Sequence, residues 1–335
     1  MTFLADTALG VSSGGLASPV YVEDVFSTYL YGGVGGASQA INNGIALGAQ
    51  TSAGWFNTSS SLLGYSVNVD GSGNVYISGL ASVGANTQYL TAKYNSSGAI
   101  QWQQYIASGT GFTASIIPKS FVDSSGNMYI CGYFNSPAGA FVAKLNTSGA
   151  IQWQRRFDTV STTVFSGVAV DGSGNVYVCG NSTNNGQPGY LVKYNSSGTI
   201  QWQKSISGGY SGSYPRFNSV AVDSSGNVYV VGDSYNSSAT DSLLLTFKFD
   251  TNGNLTWQRQ LGEGSLISQG QAGDIAVDSS GNVYVCGGSY YDPTLASGTP
   301  AIIAKYNSTG IIQWKRSLNN ASPRASSAGN RAYGL

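Results

Sequence analysis

The chain contains no histidine at all. This absence excludes Ser-His and Cys-His nucleophilic pairs and the usual histidine-bearing zinc sites. A glycosidase could still use two carboxylates, but no spacing singles out a pair among the five candidates. Those candidates are Asp158, Asp233, Asp241, Glu263 and Asp292. We therefore predict a protein that is not an enzyme, with no catalytic residue, no cofactor and no metal.

Charge is scarce as well. Charged residues make up 9% of the 335 positions, against about 25% in an ordinary soluble domain. Lys plus Arg and Asp plus Glu number 15 each, so the formal net charge is zero. No basic excess exists to attract nucleic acid or an acidic membrane surface, and we expect neither as a partner.

Long apolar runs and cysteine pairs are also lacking. No 18-residue apolar run is present, and residues 1–10 lack the basic start and apolar core of a signal peptide. We expect neither membrane insertion nor a signal peptide. The three cysteines, Cys131, Cys179 and Cys286, hold one position in three copies of a repeat. We predict buried free thiols, as in a protein made in a reducing cytoplasm.

What the chain does have is a pair of phrases that recurs five times. The first phrase, Asp-Gly/Ser-Ser-Gly-Asn-Val/Met-Tyr, begins at Asp70, Asp123, Asp171, Asp223 and Asp278. The second phrase ends on Trp102, Trp153, Trp202, Trp257 and Trp314. Successive aspartates are 48 to 55 residues apart. A period near 50 residues with strand-like content is typical of a β-propeller, in which one repeat builds one blade.

Each repeat reads as four antiparallel strands. In the third copy these are residues 167–171, 176–180, 190–194 and 199–204, with tight turns at 171–175 and 195–198. We predict an all-β propeller of five four-stranded blades over residues 66–318. The blades are expected at about 66–107, 119–158, 166–207, 218–262 and 273–318. The alternative is a sixth, composite blade that combines residues 333–335 with residues near 54–61.

The remaining segments do not follow the repeat. Residues 1–50 are predicted to form a β-rich N-terminal anchor segment, residues 51–65 a linker or closing strand, and residues 319–335 a tail or closing strand.

The residues that recur in every blade are predicted to be structural. The five tryptophans of the second phrase should pack between neighbouring blades, with sugar stacking as the alternative. One lysine per blade should make a structural hydrogen bond or expose its stem, rather than bind anions; these are Lys93, Lys144, Lys193, Lys248 and Lys305. Each Asp-x-Ser-Gly-Asn turn offers one carboxylate, so hairpin chemistry accounts for it better than a calcium loop.

An up-and-down blade places its two short turns at one end and its variable loops at the other. The loop end carries aromatic residues among Ser, Gly and Asn, a mixture typical of binding surfaces. We predict that it binds a ligand or partner through Phe112, Tyr133, Phe134, Tyr210, Tyr214, Tyr235, Tyr290 and Tyr291. The alternative is that some of these rings fill the loops themselves.

Two resemblances extend these predictions. The repeats over residues 66–318 resemble the SBBP-type β-propeller repeat family of bacteria and phages. Near the N-terminus, Asp24-Val-Phe-Ser-Thr-Tyr-Leu-Tyr31 and Ile41-Asn-Asn-Gly-Ile45 resemble an N-terminal module of structural proteins of marine tailed phages. In that module the phrases precede variable distal domains.

The second resemblance implies a virion structural protein assembled in the host cytoplasm, most simply a tail fibre or tail-associated adhesin that is multimeric in the particle. Its N-terminal segment would bind other virion proteins, and the propeller would contact a host-surface glycan or protein for attachment. The alternatives are a capsid or neck decoration protein of a phage, or a bacterial surface lectin-like propeller.

Overall fold

A computed structural model describes ten stretches of the chain: residues 59–83, 86–106, 118–135, 138–157, 163–182, 188–206, 214–235, 244–261, 271–288 and 301–318. The anchor segment, the tail and the proposed composite blade lie outside these described residues, apart from residues 59–61. Within the described stretches all regular elements are β-strands. No helix in them is long and apolar enough to cross a membrane.

Twenty strands form five sheets of four in the described residues. The first sheet holds β1 (Ser59–Val69), β2 (Val75–Val83), β3 (Asn86–Tyr94) and β4 (Ile100–Ile106). The second holds β5 (Lys119–Val122), β6 (Met128–Asn135), β7 (Ala138–Leu145) and β8 (Ile151–Phe157). The third holds β9 (Thr163–Val170), β10 (Val176–Ser182), β11 (Gly189–Tyr194) and β12 (Ile200–Ile206). The fourth holds β13 (Tyr214–Val222), β14 (Val228–Tyr235), β15 (Leu244–Phe249) and β16 (Leu255–Leu261). The fifth holds β17 (Gln271–Val277), β18 (Val283–Gly288), β19 (Ala301–Tyr306) and β20 (Ile312–Leu318).

Every sheet follows the chain, so that each strand lies beside its sequence neighbour. This confirms the predicted all-β fold with five four-stranded propeller blades. The first strands begin earlier than the repeat pattern suggested. Residues 59–65, predicted as a linker or closing strand, are the start of β1 and pair with β2 through two register shifts. Similarly, β9 starts at Thr163 and β13 at Tyr214.

The two turns of a blade are built alike. In the turn after each first strand, the Gly N–H donates to the Asp carbonyl and the Asp N–H donates to the Asn carbonyl. The turn before each fourth strand repeats these two bonds; it reads Asn-x-x-Gly in four blades and Asp-x-x-Gly in the fourth. The glycines of both turns have φ between 76° and 85°, which glycine adopts without the penalty that a Cβ brings. Local chemistry therefore places both hairpins without help from distant residues.

Glycine is required for a different reason at a second position of the repeat. Gly180, at the end of the Val-Tyr-Val-Cys-Gly phrase, lies beside a register shift between β9 and β10. A Cβ at Gly180 would collide with the carbonyl oxygen of Val164. Gly232 in the next blade meets the carbonyl of Arg216 in the same way. Only glycine lets the first strand approach this closely at the shift.

The described residues divide into two compact units, one of residues up to 138 with 143–154, the other of residues 139–142 with those from 155 onward. In the second unit, apolar side chains of one blade pack against those of the next. One such core joins the third and fourth blades around Tyr177, Phe217 and Phe249. Another joins the fourth and fifth blades around Tyr229, Trp257 and Tyr306.

In the first unit the contact between β1 and β5 is partly polar. Ser120 lies at its centre: its hydroxyl donates to Ser66 and accepts from Ser78 and Asn68. A hydroxyl can donate once and accept twice, so these three bonds use the full hydrogen-bonding capacity of Ser120.

Candidate functional site

At the turn end of each blade, the carboxylate of the repeated Asp accepts hydrogen bonds from residues of its own hairpin. It accepts hydrogen bonds of 2.8–3.1 Å from the Ser and Asn backbone N–H groups, the Asn side-chain amide and the Tyr hydroxyl. The same four bonds form at Asp70, Asp123 and Asp171. The hairpin interpretation of these turns is confirmed, because the oxygens that a cation would need are engaged within the turn.

These bonds also lower the pKa of the turn carboxylates in the first, third and fourth blades. Burial alone raises the pKa of Asp70, but the bonds from Asn74, Ser72 and Tyr76 outweigh it and bring the pKa to about 2. The same opposing causes leave the pKa values of Asp171 and Asp223 below the ordinary value. The carboxylates are therefore ionised at neutral pH, which suits a hydrogen-bond acceptor and not a general acid.

The repeated lysine lies over the repeated tyrosine. In all five blades the Lys Nζ is 4.9–5.4 Å from the centroid of the Tyr ring on the second strand. Lys193 and Lys248 also donate to backbone carbonyl oxygens of Thr251 and Ser308 in the following blade. The lysines are thus held by cation–π and hydrogen-bond contacts within the fold.

The repeated tryptophan reaches the next blade. The indole N–H of Trp102 donates to Thr147, that of Trp202 to Thr251 and that of Trp257 to Ser308, always at a backbone carbonyl. Turn glycines lie against these indoles; a Cβ on Gly149 or Gly310 would lie 2.8 Å from a ring carbon. The tryptophan and the turn that covers it are therefore matched in shape between adjacent blades.

At the loop end, the structure corrects two predicted binding residues. Tyr133 and Phe134 belong to strand β6 and are 7% and 3% exposed. The Tyr89 hydroxyl donates to the carbonyl of Tyr133 and accepts its N–H, at 2.7 and 2.9 Å. The ring of Tyr89 meets Phe134 edge to face at 5.4 Å. Both residues are core contacts between the first two blades, because β6 continues past the point where the repeat pattern ends.

The bonds between the Tyr89 hydroxyl and the Tyr133 backbone can be tested by mutation. Tyr89→Phe removes one hydroxyl that serves as donor and acceptor to buried backbone, while the ring stays in place. We expect the free energy of unfolding to fall by about 1–2 kcal/mol. Chemical denaturation of the variant and the parent chain would measure it. Tyr105→Phe is the control from the same blade, since it removes a hydroxyl from a ring of the same size and leaves the two bonds to Tyr133 intact.

The other predicted binding residues divide into two groups. Tyr214 and Tyr235 are register partners at the ends of β13 and β14. The rest lie outside the described residues: Phe112, Tyr210, Tyr290 and Tyr291. Their binding role stays a prediction.

An ion pair at the loop end of the fourth blade was not foreseen. Arg216 and Asp233 are register partners on β13 and β14, and two guanidinium nitrogens of Arg216 donate to one oxygen of Asp233. Asn218 donates to the other oxygen. Asp233 is 2% exposed, and burial raises its pKa while Arg216 and Asn218 oppose that rise. Opposite charges at cross-strand positions were the available signal.

This arrangement makes Asp233 a structural carboxylate. Its two oxygens are already engaged, so it lacks the access that one half of a glycosidase pair needs. The candidates Asp158, Asp241, Glu263 and Asp292 lie outside the described residues.

The described residues contain neither a group of side chains that could bind a metal ion nor a reactive thiol. No group of three His, Cys, Asp or Glu side chains there could hold a metal ion. Cys131, Cys179 and Cys286 are buried thiols outside any disulfide, each on the second strand of its blade. Burial raises the pKa of the Cys131 thiol to about 12, so this thiol is protonated and unreactive at neutral pH.

Comparison with known structures supports the fold. A protein of unknown function from Dyadobacter fermentans is 12% identical, with a TM-score of 0.51 over 73% of this chain and 78% of that one. A polysaccharide lyase, an ulvan lyase, is 11% identical, with a TM-score of 0.50 over 74% and 69%. At such identities the likeness concerns the fold alone. No curated protein sequence matches the chain.

A family model matches residues 138–333, which is more than half of the chain. This model is PQQ_2, and its description is outer membrane protein assembly factor BamB. The chain therefore belongs to the β-propeller repeat family that PQQ_2 represents.

Proposed function

We propose that the chain is a non-enzymatic virion structural protein of a phage, a tail fibre or tail-associated adhesin, in which the propeller is a rigid binding scaffold. The observation that carries the scaffold role is the internal use of the repeated polar groups. In the described parts of the five blades, the recurring Asp, Asn, Tyr and Lys side chains contact one another or the backbone. The repeats thus supply rigidity, and partner recognition falls to the residues in which the blades differ.

Two further observations support the virion role. The N-terminal phrases Asp24–Tyr31 and Ile41–Ile45 resemble those of tailed-phage structural proteins, and they precede the propeller as an attachment segment would. A chain with 9% charged residues and zero net charge can make polar contacts without a strong electrostatic field, which suits a crowded particle surface.

The test is composition of purified particles. Mass spectrometry of virions from infected cells should find the chain in a fixed ratio to the tail or capsid proteins. Antibody labelling in electron microscopy should place it on the tail fibres; label on the capsid or neck would favour the decoration alternative. A chain absent from particles and found on the bacterial surface would overturn the proposal in favour of the lectin-like alternative.

A deletion separates the two parts of the proposal. Removal of residues 1–50 should abolish incorporation into particles. The propeller should stay folded, which circular dichroism would check. Incorporation of the shortened chain at the normal level would contradict an anchoring role for this segment.

A further inference from the structure

A groove of about 700 Å³ lies where the outer strand of the fourth blade meets the fifth blade. It is lined by Lys248 on β15, by residues 256–259 on β16, and by Ser308 and Thr309 of the following turn. It lies at the turn end of the blades, away from the variable loops. Four of its lining residues carry exposed hydroxyl or amide groups: Thr256, Gln258, Ser308 and Thr309.

Two cations are fixed in this groove. The guanidinium of Arg259 donates to the carbonyl oxygens of Gly310, Thr309 and Gln258, and lies 5.4 Å from the ring centroid of Trp257. Lys248 Nζ donates to Ser308 O at 3.1 Å. These contacts hold both side chains in place before any ligand arrives, which lowers the entropy lost on binding.

The two side chains retain unused donors. A guanidinium has five N–H groups and an ammonium has three, so the bonds above leave two on Arg259 and two on Lys248. Among the described residues, both cations contact carbonyl oxygens and aromatic rings and form no ion pair with a carboxylate. The groove therefore presents positive charge and hydrogen-bond donors to solvent.

The preceding blade boundary shows what neutralises such a groove. There Lys193, Trp202 and Lys204 hold the equivalent positions, and the facing turn begins with Asp250. Hydrogen bonds from Asn254 and Asn252, with the positive charge of Lys204, lower the pKa of Asp250. At the boundary between the fourth and fifth blades, the corresponding turn begins with the uncharged Asn307.

We propose that the groove at Lys248 and Arg259 binds an acidic polysaccharide through its carboxylate or sulfate groups. Two rigid cations can pair with anionic groups on a sugar chain. The hydroxyl and amide groups of the rim match the hydroxyls of the sugar. An acidic peptide is the rival ligand, because its carboxylates could pair with the same two cations without using the hydroxyl and amide groups of the rim. The site does not depend on the virion role and can be tested on the isolated chain.

The binding experiment uses isothermal titration calorimetry on the full chain at about 50 mM salt. The probes are an oligogalacturonate, a heparin oligosaccharide, neutral dextran, polyglutamate and a short DNA duplex. We expect binding of one or both acidic sugars, no binding of dextran, and weakening when salt is raised to about 300 mM. Binding of the oligogalacturonate, which carries carboxylates and no sulfate, would show that sulfate is not required. No binding of either acidic sugar, or equal binding of polyglutamate or DNA, would overturn the proposal.

Three variants place the site, and each introduces a residue that another blade already carries at the same repeat position. Arg259→Gln copies Gln104, which donates to Gly149 O in the same way, and should weaken binding about fivefold or more. Arg259→Lys copies Lys204, keeps the positive charge and loses the planar fork, so it should weaken binding less than Arg259→Gln does. Asn307→Asp copies Asp250, keeps the turn bonds, and should weaken binding about fivefold because it adds a carboxylate.

The melting temperatures of the three variants should equal that of the parent chain, which would show that all of them fold alike. Arg155 donates to Gly198 O and Ser197 O at the third blade, so Arg155→Gln is made alongside. Binding that survives both Arg259→Gln and Asn307→Asp but is lost in Arg155→Gln would place the site elsewhere and refute the proposal.

Discussion

Trp257→Ala is expected to lower the free energy of unfolding by about 3–5 kcal/mol, the range for removal of a large core aromatic. Trp257 is 8% exposed and belongs to the core between the fourth and fifth blades. Its ring centroid is 6.2 Å from those of Tyr229 in its own blade and Tyr306 in the next. Alanine would leave a cavity bounded by both blades and would remove the indole N–H bond to Ser308 O, which would keep only the bond from Lys248.

The fifth blade supplies a matched control. Trp314 holds the same repeat position and contacts the Tyr284 ring of its own blade at 6.4 Å, but it is only half-buried. Trp314→Ala should therefore cost about 1–2 kcal/mol, since less apolar area returns to water in the folded state. Guanidinium denaturation followed by circular dichroism measures both. Equal losses for the two variants would show that the tryptophan acts within its blade rather than between blades.

The tryptophans and turns show why much of the fold could be predicted from sequence. An Asp-x-Ser-Gly-Asn turn closes through bonds among five consecutive residues, so its conformation is a local property. Repetition of that turn at a period near 50 then determines four strands per blade. The alternation of Ile200 and Trp202 with glutamines predicts an apolar face on β12, and this holds only in part: Trp202 is half-buried, but Ile200 is 45% exposed beside a register shift with β11.

The candidate site was harder to predict because its contacts are not local. Tyr133 and Phe134 read as loop aromatics, but Tyr89, 44 residues earlier, holds them in the core. Arg216 and Asp233 are 17 residues apart and meet only through the β13–β14 register. The groove at Arg259 depends on the choice of Asn307 rather than aspartate in the next blade's turn. Such pairings follow from packing between strands and blades, which no single phrase encodes.

Asp223→Ala is expected to cost about 2–4 kcal/mol, because one change removes the acceptor of four hydrogen bonds. The largest part comes from the fully buried Tyr229, whose hydroxyl donates to Asp223 Oδ2 at 2.9 Å. Asp223→Asn should cost less, about 1–2 kcal/mol, since an amide keeps one acceptor oxygen. Asp250→Asn is the control and should be nearly neutral, because asparagine fills that turn position in the four other blades. Asp250 and Asp223 variants of equal stability would contradict a role for the tyrosine bond.

The same carboxylates predict how stability depends on pH. Their folded pKa values are depressed, to about 2 at Asp70 and below the ordinary 3.8 at Asp171, Asp223 and Asp278. As pH falls below about 4, these carboxylates become protonated in the unfolded chain while they stay ionised in the folded chain. The equilibrium therefore moves toward the unfolded state. The stabilising contribution is therefore complete at neutral pH and is lost between about pH 4 and pH 2. We expect the melting temperature to be level from pH 7 to 5 and to drop at pH 2.5, and Asp223→Asn to make that drop smaller. A melting temperature that does not change down to pH 2.5 would mean that the turn carboxylates contribute no ionic stabilisation to the blades.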